Sequence, residues 1–257
     1  MMKMKIQIDI KAVEEMIKHV GDYQLERFRC SDLKIDDKTT SIDLVTEVDL
    51  ESERRIIAWI QVRYPSHNIL SEEIGALDRG SEYTWILDPL DGTTNYASGV
   101  PIFAISLALH YRGTRFMGWV YIPYFNDFYY AVKGQGAYYN GKRLKSIQDR
   151  SLSESVVATG FPYDRAINPD NNVKRASQVI PHVRGFRRLG AAAYDLCLVA
   201  HGAYHLFWEK GLKDWDVEAG LLMIEEIGGI VMTTDQGVLV AGSRTAVKDF
   251  LSKINKD

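Results

Sequence analysis

Ile10, Val13, Ile17 and Val20 recur at helical spacing, which predicts an amphipathic helix near the start of the chain. A second helix is predicted over Asp49 to Tyr64, with Ile56, Ile57 and Ile60 on its apolar stripe and Pro65 ending it. Thr46 and Asp49, three residues apart, resemble a capping box with Asp in place of Glu. From Trp85 the pattern shortens. Trp85-Ile86-Leu87 predicts a buried strand that stops at Asp88-Pro89, and Phe103 to Tyr111 and Gly118 to Ile122 predict further strands. Phe128 to Val132 and Ala137 to Tyr139, divided by Gly134-Gln135-Gly136 and followed by Asn140-Gly141, predict antiparallel strands with tight turns.

Beyond Lys145 the chain alternates. Val156 to Thr159 and Tyr204 to Trp208 read as strands, and Ala191 to Ala200 as a buried helix. Val217 to Ile227 reads as a helix closed by Gly228-Gly229, with a strand from Ile230 to Thr233 after it. The fold class is therefore α+β, built as layers of helix and sheet. One domain is expected over 1–257, with subdomains of about 1–145 (α+β) and 146–257 (α/β).

Composition narrows the function. The chain has 31 Lys+Arg against 34 Asp+Glu, a net charge of -3, which weakens the case for a dedicated nucleic-acid binder. No apolar run reaches the length of a membrane span and no apolar stretch follows the N-terminal lysines, so neither a span nor a signal peptide is expected. Cys30 and Cys197 read as reduced thiols of a cytoplasmic protein.

The chemistry concentrates in Trp85-Ile-Leu-Asp88-Pro89-Leu90-Asp91-Gly92-Thr93-Thr94-Asn95. A strand delivers Asp88, and a turn brings Asp91 and the Leu90 carbonyl towards the same point. Hard divalent cations take this set of oxygen ligands. Gly92 permits close backbone approach, and N–H groups where a helix opens at Thr93 suit phosphate. Asp-Pro and Asp-Gly are also ordinary turn dipeptides, so the short fragment alone is ambiguous. Ser71-Glu72-Glu73 after a strand, the run from Asp43 to Asp49, and Trp215-Asp216 opening a helix add acids that are either ligands or caps.

Taken in order, these segments resemble the inositol monophosphatase family of magnesium-dependent, lithium-sensitive phosphatases. The likeness continues through Gly134 to Gly141, Thr159-Gly-Phe-Pro162, Arg188 to Ala192 and Trp215 to Gly220. It implies a layered α-β-α-β-α sandwich of the inositol monophosphatase / fructose-1,6-bisphosphatase type and a homodimer. It also implies roles by position. Glu72, Asp88 and the Leu90 carbonyl would hold a first Mg²⁺, and Asp88, Asp91 and Asp216 a second. A third ion would rest on Glu72 and water. Glu72 and Thr93 would orient the attacking water, with Asp49 polarising Thr93. Gly92 and Thr93 amides would take phosphate oxygens. Asp91, Gly190, Ala191, Glu209 and Asp216 would contact the alcohol, and Lys38 would lie near the site.

The implied activity is Mg²⁺-dependent hydrolysis of a small polyol or sugar phosphate, foremost myo-inositol monophosphate, by metal-activated water. Fructose-1,6-bisphosphatase activity, alone or in addition, remains open. So does a non-catalytic regulatory or RNA-associated role on the same fold, for which only the basic residues near Arg184 to Arg188 speak. Thr94-Asn95 departs from relatives that act on nucleotide bisphosphates or histidinol phosphate. Ala191 and Ala192 leave an apolar rim, and Lys213-Asp214 adds charge beside Asp216.

Other signals are set aside. His201 and His205 have a zinc-compatible spacing, but Gly202 between them argues against a shared helix face. Gly134-x-Gly136 lacks the following helix of a dinucleotide site. Arg184, Arg187 and Arg188, like Lys142, Arg143 and Lys145, read as solvated faces, with Arg184 or Arg187 as weaker candidates for a second phosphate. The proposed acids together make a cleft that repels a phosphate dianion until divalent cations enter it.

Overall fold

The computed structural model describes residues 8–37 and 44–254 of the 257-residue chain. Its first helix, α1 (Ile10–Arg27), buries Val13, Ile17 and Val20, and α2 (Glu47–Arg63) buries Ile56, Ile57 and Ile60, the two stripes that periodicity picked out. The capping box is formed. Thr46 Oγ1 accepts from the Val48 amide at 3.1 Å, and Asp49 Oδ2 accepts from the Thr46 amide at 2.9 Å. That cap starts α2 two residues earlier than periodicity alone suggests.

Two short strands, β1 (Ile35–Asp37) and β2 (Leu44–Thr46), pair with each other ahead of α2. The large sheet comprises β3 (Asn68–Ser71), β4 (Gly75–Leu77), β5 (Tyr83–Asp91), β6 (Ala104–Tyr111), β7 (Thr114–Ile122), β8 (Asp127–Val132), β9 (Gly136–Tyr139) and β10 (Lys142–Arg143). Their spatial order is β10-β9-β8-β7-β6-β5-β3-β4, antiparallel except for the β3–β5 pair. Asn140 and Gly141 both have positive φ, at 45° and 76°, which suits the two-residue turn between β9 and β10.

Strand β5 corrects one expectation. It does not stop at Pro89. It continues to Asp91, with Asp88 opposite Ser106 and Asp91 opposite Ala104, so three steps on β5 match two on β6. The extra residue is a bulge at the end of the strand, which accommodates a proline that cannot donate to the ladder. A short helix, α3 (Thr93–Ala97), follows Gly92, whose φ of 92° is left-handed.

The second sheet contains β11 (Val156–Thr159), β12 (Gly185–Arg187), β13 (Leu206–Lys210), β14 (Ile230–Thr233) and β15 (Val238–Gly242), in the order β12-β11-β13-β15-β14. Helices α5 (Ala192–His201) and α6 (Asp214–Glu226) lie between the two sheets. That position explains why Ala193, Leu196, Cys197 and Val199 are buried on all sides of α5. Alternate residues of each strand divide between layers: Trp85 and Leu87 face α1 and α2, whereas Ile86 faces the central helices. Helices α4 (Val173–Val179) and α7 (Arg244–Ile254) cover the far face of the second sheet. The stack is therefore α-β-α-β-α, as the resemblance implied.

The central layer is tightly fitted. A Cβ at Gly118 on β7 would sit 2.8 Å from the Ala219 Cα of α6. Helix α6 begins at Asp214, three residues before the apolar run that revealed it, so Asp216 lies in its first turn. Cys30 and Cys197 are both free. No described helix is long and apolar enough to cross a membrane.

Candidate active site

The end of β5, the loop after β3 and the first turns of α5 and α6 meet at one cleft of about 350 Å³. Of the residues expected at the site, Glu72, Asp91, Gly190, Ala191, Glu209 and Asp216 line it. Asp88, Leu90, Gly92, Thr93 and Asp49 are not among the residues that line it. Lys38 and Asp43 lie outside the described residues.

Asp88, Asp91 and Asp216 are each positioned by backbone donors. Asp88, 2 % exposed, accepts from the Leu90 amide at 2.9 Å, which closes the bulge. Asp91 accepts from the Ala192 amide at 3.2 Å and the Ala193 amide at 2.8 Å, so the first turn of α5 holds its carboxylate. Asp216 accepts from the Lys213 amide at 2.7 Å, and Ser106 Oγ donates to the Trp215 carbonyl at 3.0 Å, fastening α6 to β6. Thr93 Oγ1 lies 2.8 Å from Asp49 Oδ1 and 3.1 Å from the Leu90 carbonyl. Gly92 presses against the opposite wall; a Cβ there would stand 3.3 Å from both Ala191 Cβ and the Gly190 carbonyl.

The carboxyl groups perturb one another. Burial raises the pKa of Asp88, and the charges of Glu72, Asp91 and Asp216 add to it. Asp91 is pushed up to about 8 by burial and then by Asp216, against the lowering effect of the Ala193 and Ala192 amides. Glu209 is likewise pushed up to about 8 by burial, Asp216 and Asp91, opposed by Arg188. Among the described residues no three acids are closed into a finished metal cage. The donor chemistry nevertheless fits a hard divalent cation: buried oxygens that repel one another as anions are relieved when cations replace protons.

Several residues of the site escaped the sequence. Glu53 of α2 is 2 % exposed, and its Oε1 accepts from Ser71 Oγ and from the amides of Glu73 at 3.1 Å and Ile74 at 3.2 Å. It shapes the loop that carries Glu72. Asp195 lines the cleft from α5, and burial, Asp91 and Glu209 raise its pKa while Arg188 opposes them; among the described residues its Oδ1 has no hydrogen-bond partner. Both are acids within the apolar stripe of a helix, a signal that was available. Asn95 Nδ2 donates to the carbonyls of Ile102 at 2.8 Å and Leu189 at 2.9 Å, joining α3 to the Gly190 loop. Arg188, read from sequence as part of a solvated face, stands at the cleft, whereas Arg184 and Arg187 do not line it. Lys213 lines the cleft, and Asp214 does not.

Comparison with known proteins places this geometry. A Nus factor SuhB from Pasteurella multocida is 40% identical over 234 residues, covering 88% of this chain and 87% of that protein. A fructose-1,6-bisphosphatase/inositol-1-monophosphatase from Aquifex aeolicus is 41% identical over 218 residues, covering 83% of this chain and 82% of its own. The crystal structure of the extragenic suppressor protein suhB from Bartonella henselae superposes with a TM-score of 0.89 at 30% identity, covering 96% of this chain and 98% of that one. The sequence model of the inositol monophosphatase family matches residues 6–255. By fold, by sequence and by the order of its acidic segments, this chain belongs to the inositol monophosphatase family.

Proposed function

We propose that this chain is a Mg²⁺-dependent phosphomonoesterase acting on a small polyol or sugar phosphate, foremost myo-inositol monophosphate. The observation that carries the reading is the cluster of Glu72, Asp88, Asp91 and Asp216, in which burial and then the charges of the other three raise the pKa of Asp88, backed by the Thr93–Asp49 hydrogen bond. Glu72, Asp88, the Leu90 carbonyl, Asp91 and Asp216 would hold two or three Mg²⁺. Bound there, the cations would supply Lewis acidity, lowering the pKa of water and offsetting charge on the phosphoryl group and departing alkoxide.

The chain's own residues position the reaction. Asp49 accepts the Thr93 proton, so the lone pairs of Thr93 Oγ1 are left to accept from a water molecule; Glu72 takes that water from the other side. The oxygen of the water bonds to phosphorus as the ester P–O bond breaks; one proton of that water ends on the departing alkoxide and the other stays with the phosphate. Gly92 and Thr93 amides receive the phosphate oxygens. Asp91, Gly190, Ala191, Glu209 and Asp216 contact the alcohol, with the raised Glu209 carboxyl able to donate to a hydroxyl. We read the whole chain as one catalytic domain, cytoplasmic and homodimeric.

The test is phosphate release from myo-inositol 1-phosphate, fructose 1,6-bisphosphate and other phosphomonoesters with Mg²⁺. Turnover of the inositol ester with the highest kcat/KM supports the reading; preference for the bisphosphate transfers it to the sugar phosphatase. The likeness to proteins named Nus factor SuhB supports a second reading, a regulatory binding protein. Binding of RNA or a protein partner with no turnover of any ester would favour it.

A further inference from the structure

A second cavity, of about 440 Å³, lies at the opposite end of α5 from the catalytic cleft. A ten-residue helix rises about 15 Å, so the two are separate. Lys142, Arg143, Lys145 and His201 contribute to its walls, and among the described residues no Asp or Glu does. Strand β10 pairs Lys142 with Tyr139 and Arg143 with Tyr138, so Lys142 shares the face of Tyr139 and His201, while the Arg143 guanidinium lies over Gly136 on the other face. The Leu144 amide then donates to the Ala137 carbonyl at 2.8 Å, and the Ile147 amide to the Ile227 carbonyl at 2.9 Å, fixing the strip that carries Lys145.

The cations are not matched by acids. Among the described residues, Lys142, Arg143 and Lys145 have no carboxylate within 4.0 Å. The neighbouring acids serve other donors. Asp127 accepts from the Tyr139 hydroxyl at 2.7 Å, and Glu226 accepts from the amides of Gly134 and Gly136, both at 2.8 Å. The C-terminal end of α5 brings a partial negative charge, but Gly202, Ala203 and Tyr204 amides already cap the Val199 and Leu198 carbonyls. His201 is held by Tyr129, 3.1 Å from its Nδ1, with the Tyr139 ring edge-on at 4.6 Å. The result is a concave surface walled by Lys142 and Lys145, with one immobilised imidazole.

We propose that this cavity binds a small phosphorylated anion, at a site distinct from the cleft that holds the acids. Its volume suits a phosphate ester or diphosphate, and lysine ammonium donors suit phosphate oxygens. Concavity favours such a compact ligand over an extended nucleic-acid strand, which needs a groove with a longer basic track.

Calorimetric titration with inorganic diphosphate in EDTA, where the acidic cleft disfavours anions, tests the proposal. Saturable binding is expected, weakening with added salt. Lys142→Ala combined with Lys145→Ala should weaken it at least about tenfold, since each lost hydrogen bond to a charged group costs that order. Lys145→Glu alone should have a comparable effect, and melting curves should match the parent because these side chains are exposed. Arg188→Ala, in the catalytic cleft, should leave binding within about twofold. Absence of saturable binding, or binding that falls with Arg188→Ala and not with the lysine variants, would overturn the site. Tight binding of a single-stranded oligoribonucleotide through the same lysines, with none of diphosphate, would overturn the ligand class.

Discussion

The Thr93 hydroxyl is 2.8 Å from Asp49 Oδ1, although the two residues stand 44 positions apart. Asp49 uses its other oxygen to accept from the Thr46 amide, so one carboxylate both caps α2 and orients Thr93. Thr93→Val keeps the shape and removes the hydroxyl. We expect kcat for phosphate release to fall about 10²-fold or more, the usual scale for losing a positioned proton-transfer partner, with little change in melting temperature. Thr93→Ser should recover most of the loss. Asp49→Asn should lower both kcat and stability, the latter by about 1 kcal/mol for the damaged cap. Full activity in Thr93→Val would remove this hydroxyl from the reaction.

Glu53 does not itself line the cleft, yet it gathers Ser71 and the Glu73 and Ile74 amides around one oxygen. Removing its charge should loosen the turn that presents Glu72. For Glu53→Gln we expect the Mg²⁺ concentration giving half-maximal activity to rise about tenfold, as is typical when a support behind a metal ligand is lost. Saturating Mg²⁺ should restore much of kcat. A loss of kcat that excess Mg²⁺ does not mend would mean a structural rather than a positioning role.

Asp88, Asp91 and Asp216 were legible because each sits in a short local pattern: an apolar strand ending in Asp88, a turn to Asp91, a helix start at Asp216. Their convergence was not local and came with the family resemblance. The continuation of β5 through Pro89 was hidden because a bulge depends on the register of β6, which the β5 residues do not encode. Arg188 was misread for a similar reason: a cationic run has no periodicity that separates a solvated face from a cleft wall. Helices α4 and α7, and strands β12 and β15, were not anticipated at all. Each completes a layer by packing against other elements, so their character follows from packing more than from their own pattern.

Gly160 faces Glu209 so closely that a Cβ would collide with both carboxylate oxygens. Because Glu209 is a side chain and not backbone, Gly160→Ala should fold, displacing the carboxylate from the cleft wall. If Glu209 contacts the alcohol, KM for myo-inositol 1-phosphate should rise about tenfold, the cost of one misplaced hydrogen bond to a charged or hydroxyl group. Hydrolysis of p-nitrophenyl phosphate, which has no polyol hydroxyls, should change much less. Equal losses on both substrates would argue that Glu209 does not read the alcohol.

Gly118 meets the Ala219 backbone of α6, where no side chain can swing away. Gly118→Ala should therefore push α6 off the sheet, at a cost of about 1–3 kcal/mol in urea unfolding. Since Asp216 opens the same helix, Mg²⁺-dependent activity should fall alongside stability. A stable Gly118→Ala protein with unaltered activity would show that the central layer is more tolerant than this contact implies.

The pH dependence of stability in EDTA follows from the raised carboxyls. Asp91, ordinarily near 3.8, and Glu209, ordinarily near 4.5, are both pushed up to about 8 in the folded chain, and Asp88 is raised too. Between the ordinary and the raised values the folded state keeps protons that the unfolded chain has released. The stability they contribute is fully present below about pH 4 and is lost as pH rises towards 8. Other groups act elsewhere in the range. His67 and His205, lowered mainly by burial, favour folding as pH rises towards their ordinary value of 6.5. Glu51, held near 2 by Arg54 and Arg55, matters only in acid. The interval from pH 7 to 8 thus isolates the cleft. In EDTA the melting temperature should drop across it, and Asp91→Asn should flatten the slope. Mg²⁺ should raise the melting temperature more at pH 8 than at pH 7, because fewer protons compete for the carboxylates. A melting temperature that climbs from pH 7 to 8 in EDTA would contradict the mutual repulsion of these acids.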